Sequence, residues 1–108
     1  MKKLYLIRHC KAAEPSAHAG DRGRPLAGSG PGDATAIGVR LAELGEHPEL
    51  ILCSSARRAV ETATLVTRSL PTPPPIKPED GLYNATPGDV LARIQSLDDG
   101  LGAVIVVG

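Results

Sequence analysis

The sequence predicts an α/β fold: a single three-layer α/β/α domain, residues 1–108, on a mainly parallel sheet. Three observations predict it. Short apolar runs recur at residues 4–7, 50–53 and 103–107, the size and character of strands buried in a parallel sheet. Stretches with a helical apolar period lie between them. The 108 residues, 42% of them hydrophobic, suffice for one core,. That core is nearly free of aromatics, with two Tyr, no Phe and no Trp; Leu, Val, Ile and Ala must fill it.

Leu4-Tyr5-Leu6-Ile7 reads as a short buried strand that stops at Arg8-His9. Residues 12–30 form a long loop without a period, a length that is often functional. Pro31 suits a first helical turn. Ala34, Ile37, Leu41 and Leu44 then share one helical face, Gly38 weakens the helix by roughly 1 kcal/mol, and Gly45 ends it. Leu50-Ile51-Leu52-Cys53 is a second buried strand. Ser54 or Ser55 is expected to cap the next helix, which turns Ala59, Ala63, Val66 and Leu70 inward. Arg57 and Arg58 fall in its first turn, where cations oppose the helix dipole.

Pro71-Thr72-Pro73-Pro74-Pro75 is a stiff connector. Pro75-Ile76-Lys77-Pro78 makes at most a poor edge strand. Thr86-Pro87-Gly88-Asp89 is a strong helix start, followed by an apolar face of Val90, Leu91, Ile94 and Leu97. Residues 103–107 give the strongest strand.

Twelve basic residues balance twelve acidic ones without a basic run, which argues against nucleic acid as partner. Four apolar residues after Met1-Lys2-Lys3 are too few for a signal peptide, and no stretch is long enough to span a membrane. A cytoplasmic protein is expected. Cys10 and Cys53 then stay reduced and read as small buried side chains, since nothing near them has metal-ligand spacing. His18 and His47 read as solvated residues for the same reason. No metal and no cofactor are expected.

Ligands in open parallel sheets bind beyond the carboxyl ends of the strands. Arg8 and His9 come after the first strand, and Arg58 after the second. Two guanidiniums and an imidazole on one sheet edge suit a phosphoryl group. Arginine presents a planar, permanently charged fork. Histidine, which titrates near neutral pH, is a competent nucleophile toward phosphorus. Backbone N–H groups near Ser54 and Ser55 add to such an anion site.

The same residues resemble a known family. Leu4-Tyr5-Leu6-Ile7-Arg8-His9-Cys10-Lys11-Ala12 is similar to the opening of the histidine phosphatase superfamily, whose hallmark is Arg-His-Gly after the first strand. In its phosphohistidine phosphatase branch Arg-His-Ala-Lys-Ala is common. Four further segments agree in order. They are Arg24-Pro25-Leu26 with Gly30 and Ala34; Ser54-Ser55-Ala56-Arg57-Arg58-Ala59 with Thr62 and Ala63; Leu82-Tyr83-Asn84-Ala85; and the strand ending at Gly108. Two substitutions depart from the pattern: Cys10 for Gly or Ala, and Ala27 for Thr or Ser.

The resemblance implies a phosphoglycerate mutase-like fold and a metal-independent phosphatase that removes phosphoryl groups from phosphohistidine in proteins. It implies His9 as nucleophile, Arg8 and Arg58 as the phosphoryl clamp, Arg24 as a substrate contact, and Ser54 as a backbone or side-chain donor. In the family a second catalytic histidine comes directly after the equivalent of Gly108. Without it the 108-residue polypeptide is expected to be impaired, by roughly 10–1000-fold for one electrostatic contact. The domain is thus expected to lack its C-terminal part.

Relatives acting on phosphate monoesters carry a Glu where this chain has Asn84. An alkoxide leaving group wants a general acid, whereas imidazole leaving a P–N bond needs less help. That favours phosphohistidine. The alternatives are a broader small-molecule phosphomonoesterase and a non-catalytic phosphate-binding module. The partner is accordingly a phosphorylated protein or a small phosphorylated substrate. A cysteine phosphatase is excluded because Cys10 and Cys53 have no Arg six positions on. A nucleotide loop is excluded because Gly28-Ser29-Gly30-Pro31-Gly32 lacks the Gly-Lys-Ser/Thr ending.

Overall fold

A computed structural model of the chain describes residues 3–15 and 20–108. Among these, four strands form one parallel sheet: β1 (Lys3–Ile7), β2 (Leu50–Ser54), β3 (Ile76–Glu79) and β4 (Ala103–Val107), in the order β1-β4-β2-β3. The helices are α1 (Gly30–Glu43), α2 (Arg57–Thr67) and α3 (Pro87–Gln95), with a 3-10 turn at Asp80–Leu82. The α/β/α layering expected from the sequence is present. The expected position of His18 lies outside the described residues.

Alternation along the central strands divides the core in two. Ile51, Cys53, Ile105 and Val107 face α1 and α2, meeting Ala34, Leu41, Ala59, Ala63 and Val66. Leu52, Val104 and Val106 face the other way, toward Leu82, toward Val90 and Ile94 of α3, and toward Leu97 just beyond its end. β4 lies between β1 and β2 and is buried along its whole length, which explains its continuous apolar run.

Four sequence expectations need correction. β1 is an edge strand, and Leu4 and Leu6 are 39% and 67% exposed. A short apolar run does not reveal how many neighbours a strand has, and α3 packs over β2 and β4 rather than β1. Leu91 is exposed because it lies off the stripe formed by Val90, Ile94 and Leu97. Leu44 is exposed because α1 has already ended at Glu43. Neither Ser54 nor Ser55 is the N-cap of α2; that residue is Ala56. Ser54 is the last residue of β2, and its Oγ instead accepts a hydrogen bond from the Ala56 N–H at 3.1 Å.

Other local signals act as expected. Thr86 and Asp89 form a reciprocal capping box at the start of α3, and Gly45 leaves α1 with φ +70°. Pro78 sits in β3, which pairs with β2 alone. Gly38 has a role that propensity does not reveal. It is buried where α1 crosses α2, and an added Cβ would lie 2.2 Å from the Val66 carbonyl oxygen.

Gly38→Ala is therefore expected to destabilise the fold by roughly 1–3 kcal/mol through overpacking, despite the better helix propensity of Ala. The urea midpoint measures this, and a gain in stability would contradict the close helix crossing. A second expectation concerns Glu79, which accepts two bonds from Arg93 at 2.7 and 2.8 Å. Those bonds, with the Arg93 and Lys77 charges, hold its carboxyl below the ordinary 4.5. A depressed folded-state value adds stability above the unfolded pKa and loses it as pH falls. Glu79→Gln should be less stable at pH 7 and lose less stability on acidification below about pH 5, as read by denaturant titrations across that range.

Candidate active site

In-register pairing aligns the carboxyl ends of three strands, with Ile7 beside Val107 and Val107 beside Cys53. The chain therefore leaves all three strands at one edge of the sheet. A cavity of about 750 Å³ opens there, lined by Arg8, His9, Ser54, Arg58, Asn84 and Gly108. Its other wall is apolar, formed by Leu4, Leu6, Val90, Leu91, Ile94 and Val106.

Backbone pairing continues past β1 and fixes His9. The Gly108 N–H donates to the Ile7 carbonyl at 3.0 Å, and the His9 N–H donates to the Gly108 carbonyl at 2.9 Å. The His9 ring nitrogen Nδ1 lies 2.9 Å from the Cys10 carbonyl oxygen. A carbonyl only accepts, so Nδ1 carries the proton in this bond. In the neutral ring, Nε2 then holds a free lone pair.

The next residue ties this turn to α2. The Cys10 N–H donates to Thr62 Oγ1 at 3.2 Å, and the Thr62 hydroxyl donates to the Arg58 carbonyl at 2.8 Å. Thr62 is fully buried. One hydroxyl thus joins the backbone after His9 to the backbone of Arg58.

Arg58 is 8% exposed. Its Nη1 donates to the Asp21 carbonyl oxygen at 2.9 Å and its Nη2 to Asp21 Oδ2 at 3.4 Å. Its Nε is buried without a hydrogen-bond partner among the described residues. Arg8 is exposed and lines the cavity. Ser54 also lines it; since its Oγ accepts from Ala56, the hydroxyl hydrogen remains for a ligand,.

Arg24 does not line the cavity. It is held beside it by an ion pair to Asp21 Oδ1 at 3.1 Å. The structure therefore gathers Arg8, His9, Ser54 and Arg58 in one place and links Arg24 to them through Asp21. Asp21 and Tyr83 lie in segments the sequence singled out, but only the fold gives them partners. The Tyr83 hydroxyl donates to Asp21 Oδ2, and Arg22 stacks over the Tyr83 ring, 5.0 Å from its centroid. The Tyr83 bond, then the Arg58 and Arg24 charges, hold the Asp21 carboxyl below its ordinary range. Asp21 is thus an anion near neutral pH.

Thr62 carried a legible signal: a hydroxyl on the otherwise apolar stripe of Ala59, Ala63 and Val66. Asn84 lines the cavity in the left-handed backbone region, φ +51°, which Asn tolerates better than most residues. Burial pushes the thiols of Cys10 and Cys53 up, Cys53 to about 11, so neither is a thiolate nucleophile near neutral pH.

Residues 4–95 match the histidine phosphatase superfamily (branch 1). The chain belongs to this superfamily.

The fold agrees with that membership. SixA of Agrobacterium tumefaciens, a candidate phosphohistidine phosphatase, superposes with a TM-score of 0.88 and 31% identity, covering 97% of this chain and 67% of that one. The protein histidine phosphatase SixA solved with tungstate gives a TM-score of 0.85 and 27% identity over the same shares. An uncharacterised Mycobacterium tuberculosis protein is 33% identical over 102 residues, which is 94% of this chain and 61% of that protein. The chain thus spans about three fifths of the length of that curated relative. Arg8 and His9 fall within the matched residues and line the cavity beyond the aligned strand ends.

Among the described residues no group of three or more His, Cys, Asp or Glu is placed to hold a metal ion. No helix among them is long and apolar enough to cross a membrane.

The Thr62 bridge can be tested by Thr62→Val, which keeps the volume and removes the hydroxyl. The Cys10 N–H then loses its partner, and a loss of about 1–3 kcal/mol is expected. Thr62→Ser should retain most of the stability. Equal urea midpoints for wild type and Thr62→Val would contradict the bridge.

Proposed function

We propose that this domain is a phosphatase that removes phosphoryl groups from phosphohistidine in proteins, by way of a phosphohistidine formed on His9. The single observation that carries the reading is His9 at the cavity mouth, with Nδ1 bonded to the Cys10 carbonyl and Nε2 left as the nucleophilic atom. Nε2 attacks phosphorus as the P–N bond to the substrate imidazole breaks. That imidazole leaves with the bonding pair and takes a proton from solvent. Water then attacks the phosphorylated His9, releasing inorganic phosphate and restoring the ring. The Cys10 carbonyl favours the positive charge that the ring carries while phosphorylated.

Arg8 and Arg58 supply the charge that meets the phosphoryl oxygens. Arg58 lines the cavity, and each of its terminal nitrogens has a second N–H beyond the one given to Asp21,, which supports this role. The Ser54 hydroxyl is a further donor. Arg24 acts from behind, through Asp21. The largely apolar opposite wall lowers the local dielectric and strengthens these charges.

The preference for phosphohistidine rests on the cavity's lack of a proton donor suited to an alkoxide. No Asp or Glu side chain lines it among the described residues. Glu79 is engaged by Arg93, and Asp80 by Arg22. Asn84 stands where relatives that hydrolyse monoesters carry Glu, and its amide does not donate a proton at working pH. A SixA relative solved with tungstate, an oxyanion shaped like phosphate, is consistent with an oxyanion site in this fold.

The test incubates the 108-residue chain, and in parallel the same chain continued to the end of its reading frame, with a phosphohistidine peptide. Quenched samples are then examined by mass spectrometry. Acid-labile phosphate on His9 is expected, with its loss in His9→Ala and a fall of about 10²–10³-fold in kcat for Arg58→Ala. Turnover of a sugar phosphate in preference to the peptide would shift the reading to a small-molecule phosphomonoesterase. No label and no phosphate release from either form would leave only a binding module.

A further inference from the structure

Arg58 is in an electrostatically awkward place. It lies in the first turn of α2, where the helix dipole opposes a cation, and its immediate neighbour is Arg57. Arg22 and Arg24 approach from the 20–24 loop. A guanidinium buried in such company needs an anion to hold it.

Asp21 is that anion, and it holds Arg58 by two different groups. Its backbone carbonyl takes Nη1 at 2.9 Å, and Oδ2 takes Nη2 at 3.4 Å. Its other carboxylate oxygen pairs with Arg24 at 3.1 Å. The Tyr83 hydroxyl fixes the carboxylate from a third direction. The guanidinium is planar, so holding both terminal nitrogens sets the plane of the whole fork. The loop that carries Asp21 is itself anchored, with the Arg57 N–H donating to the Arg22 carbonyl at 2.9 Å and the Leu26 N–H to Glu61 at 2.8 Å. Asp21 does not line the cavity.

We propose that Asp21 is a positioning residue that aims the Arg58 guanidinium at the phosphoryl group, with Tyr83 holding Asp21 in turn. The inference rests on the reading of the cavity as a phosphoryl site. It separates cleanly from a simpler role, in which the Asp21 carboxylate merely competes with substrate for the guanidinium. The two roles predict opposite signs. Removing a competing negative charge beside an anion site tightens anion binding. Removing the residue that aims the guanidinium weakens it.

The experiment measures inorganic phosphate binding by calorimetry, and kcat/KM on a phosphohistidine peptide, for wild type, Asp21→Asn, Asp21→Glu and Tyr83→Phe. Asp21→Asn keeps the shape but turns amide hydrogens toward one of the guanidiniums. It is expected to weaken phosphate binding about tenfold and to lower kcat/KM by about 10–100-fold. Tyr83→Phe should move both in the same direction by about threefold, and Asp21→Glu, which retains the charge, should recover part of the loss. Phosphate binding by Asp21→Asn as tight as wild type or tighter overturns the proposal, as does Asp21→Glu behaving no better than Asp21→Asn. If Asp21→Asn fails to fold, judged by circular dichroism, Tyr83→Phe decides by the same signs. Phosphate affinities that keep the expected order without peptide turnover in wild type would uphold Asp21's role and sink the phosphatase reading. Failure of wild type to bind phosphate would overturn both.

Discussion

One buried hydroxyl holds the two halves of the site in register. Thr62 accepts from the backbone just after His9 and donates to the backbone of Arg58. His9 belongs to the turn after an edge strand, and the Arg58 guanidinium belongs to a helix reached from a central one. Pairing with Gly108 ties the turn after β1 to the end of β4, and the Thr62 hydroxyl adds the tie to α2 that sheet pairing does not supply. Misplacement by about 1 Å costs on the order of a hundredfold in positioned chemistry. A fully buried Thr is a short, stiff link, and its hydroxyl is satisfied on both sides, so burial costs it little.

The packing of α2 is matched to that anchoring. Its buried stripe of Ala59, Ala63 and Val66 is made of small side chains, which lets the helix lie close to the sheet and to α1. Gly38 extends the same closeness across the helix pair, where any side chain would strike the Val66 carbonyl. Close packing is what brings the first turn of α2, with Arg58, over the carboxyl ends of β2 and β4. The near absence of aromatic residues suits a tightly spaced helix layer.

Charge and apolar surface are divided across the cavity. The side near α2 is cationic, and the side formed by β1 and α3 is apolar. The cationic side is kept folded by Asp21 and Tyr83, which sit behind it. Such an arrangement keeps the guanidiniums from repelling one another while leaving their remaining donors for an anion. Two nearby carboxylates, Glu79 and Asp80, are committed to Arg93 and Arg22, and no acidic side chain is among the described residues that line the cavity.

The sequence by itself determined the element order, the parallel layering, the central place of the 103–107 run and the Arg8, His9 and Arg58 constellation. These depend on local periodicity, on turn chemistry and on the rule that strand ends face one edge, all of which are written along the chain. Tertiary structure alone decided that β1 is an edge strand with Leu4 and Leu6 open, because neighbour number is not encoded in a four-residue run. It also decided that Arg24 stands behind the cavity, that Asp21 binds two arginines and Tyr83, and that Thr62 joins Cys10 to Arg58. Those partners are separated by up to 62 residues in sequence, and a hydrogen bond at that range exists only after the sheet has set which segments meet.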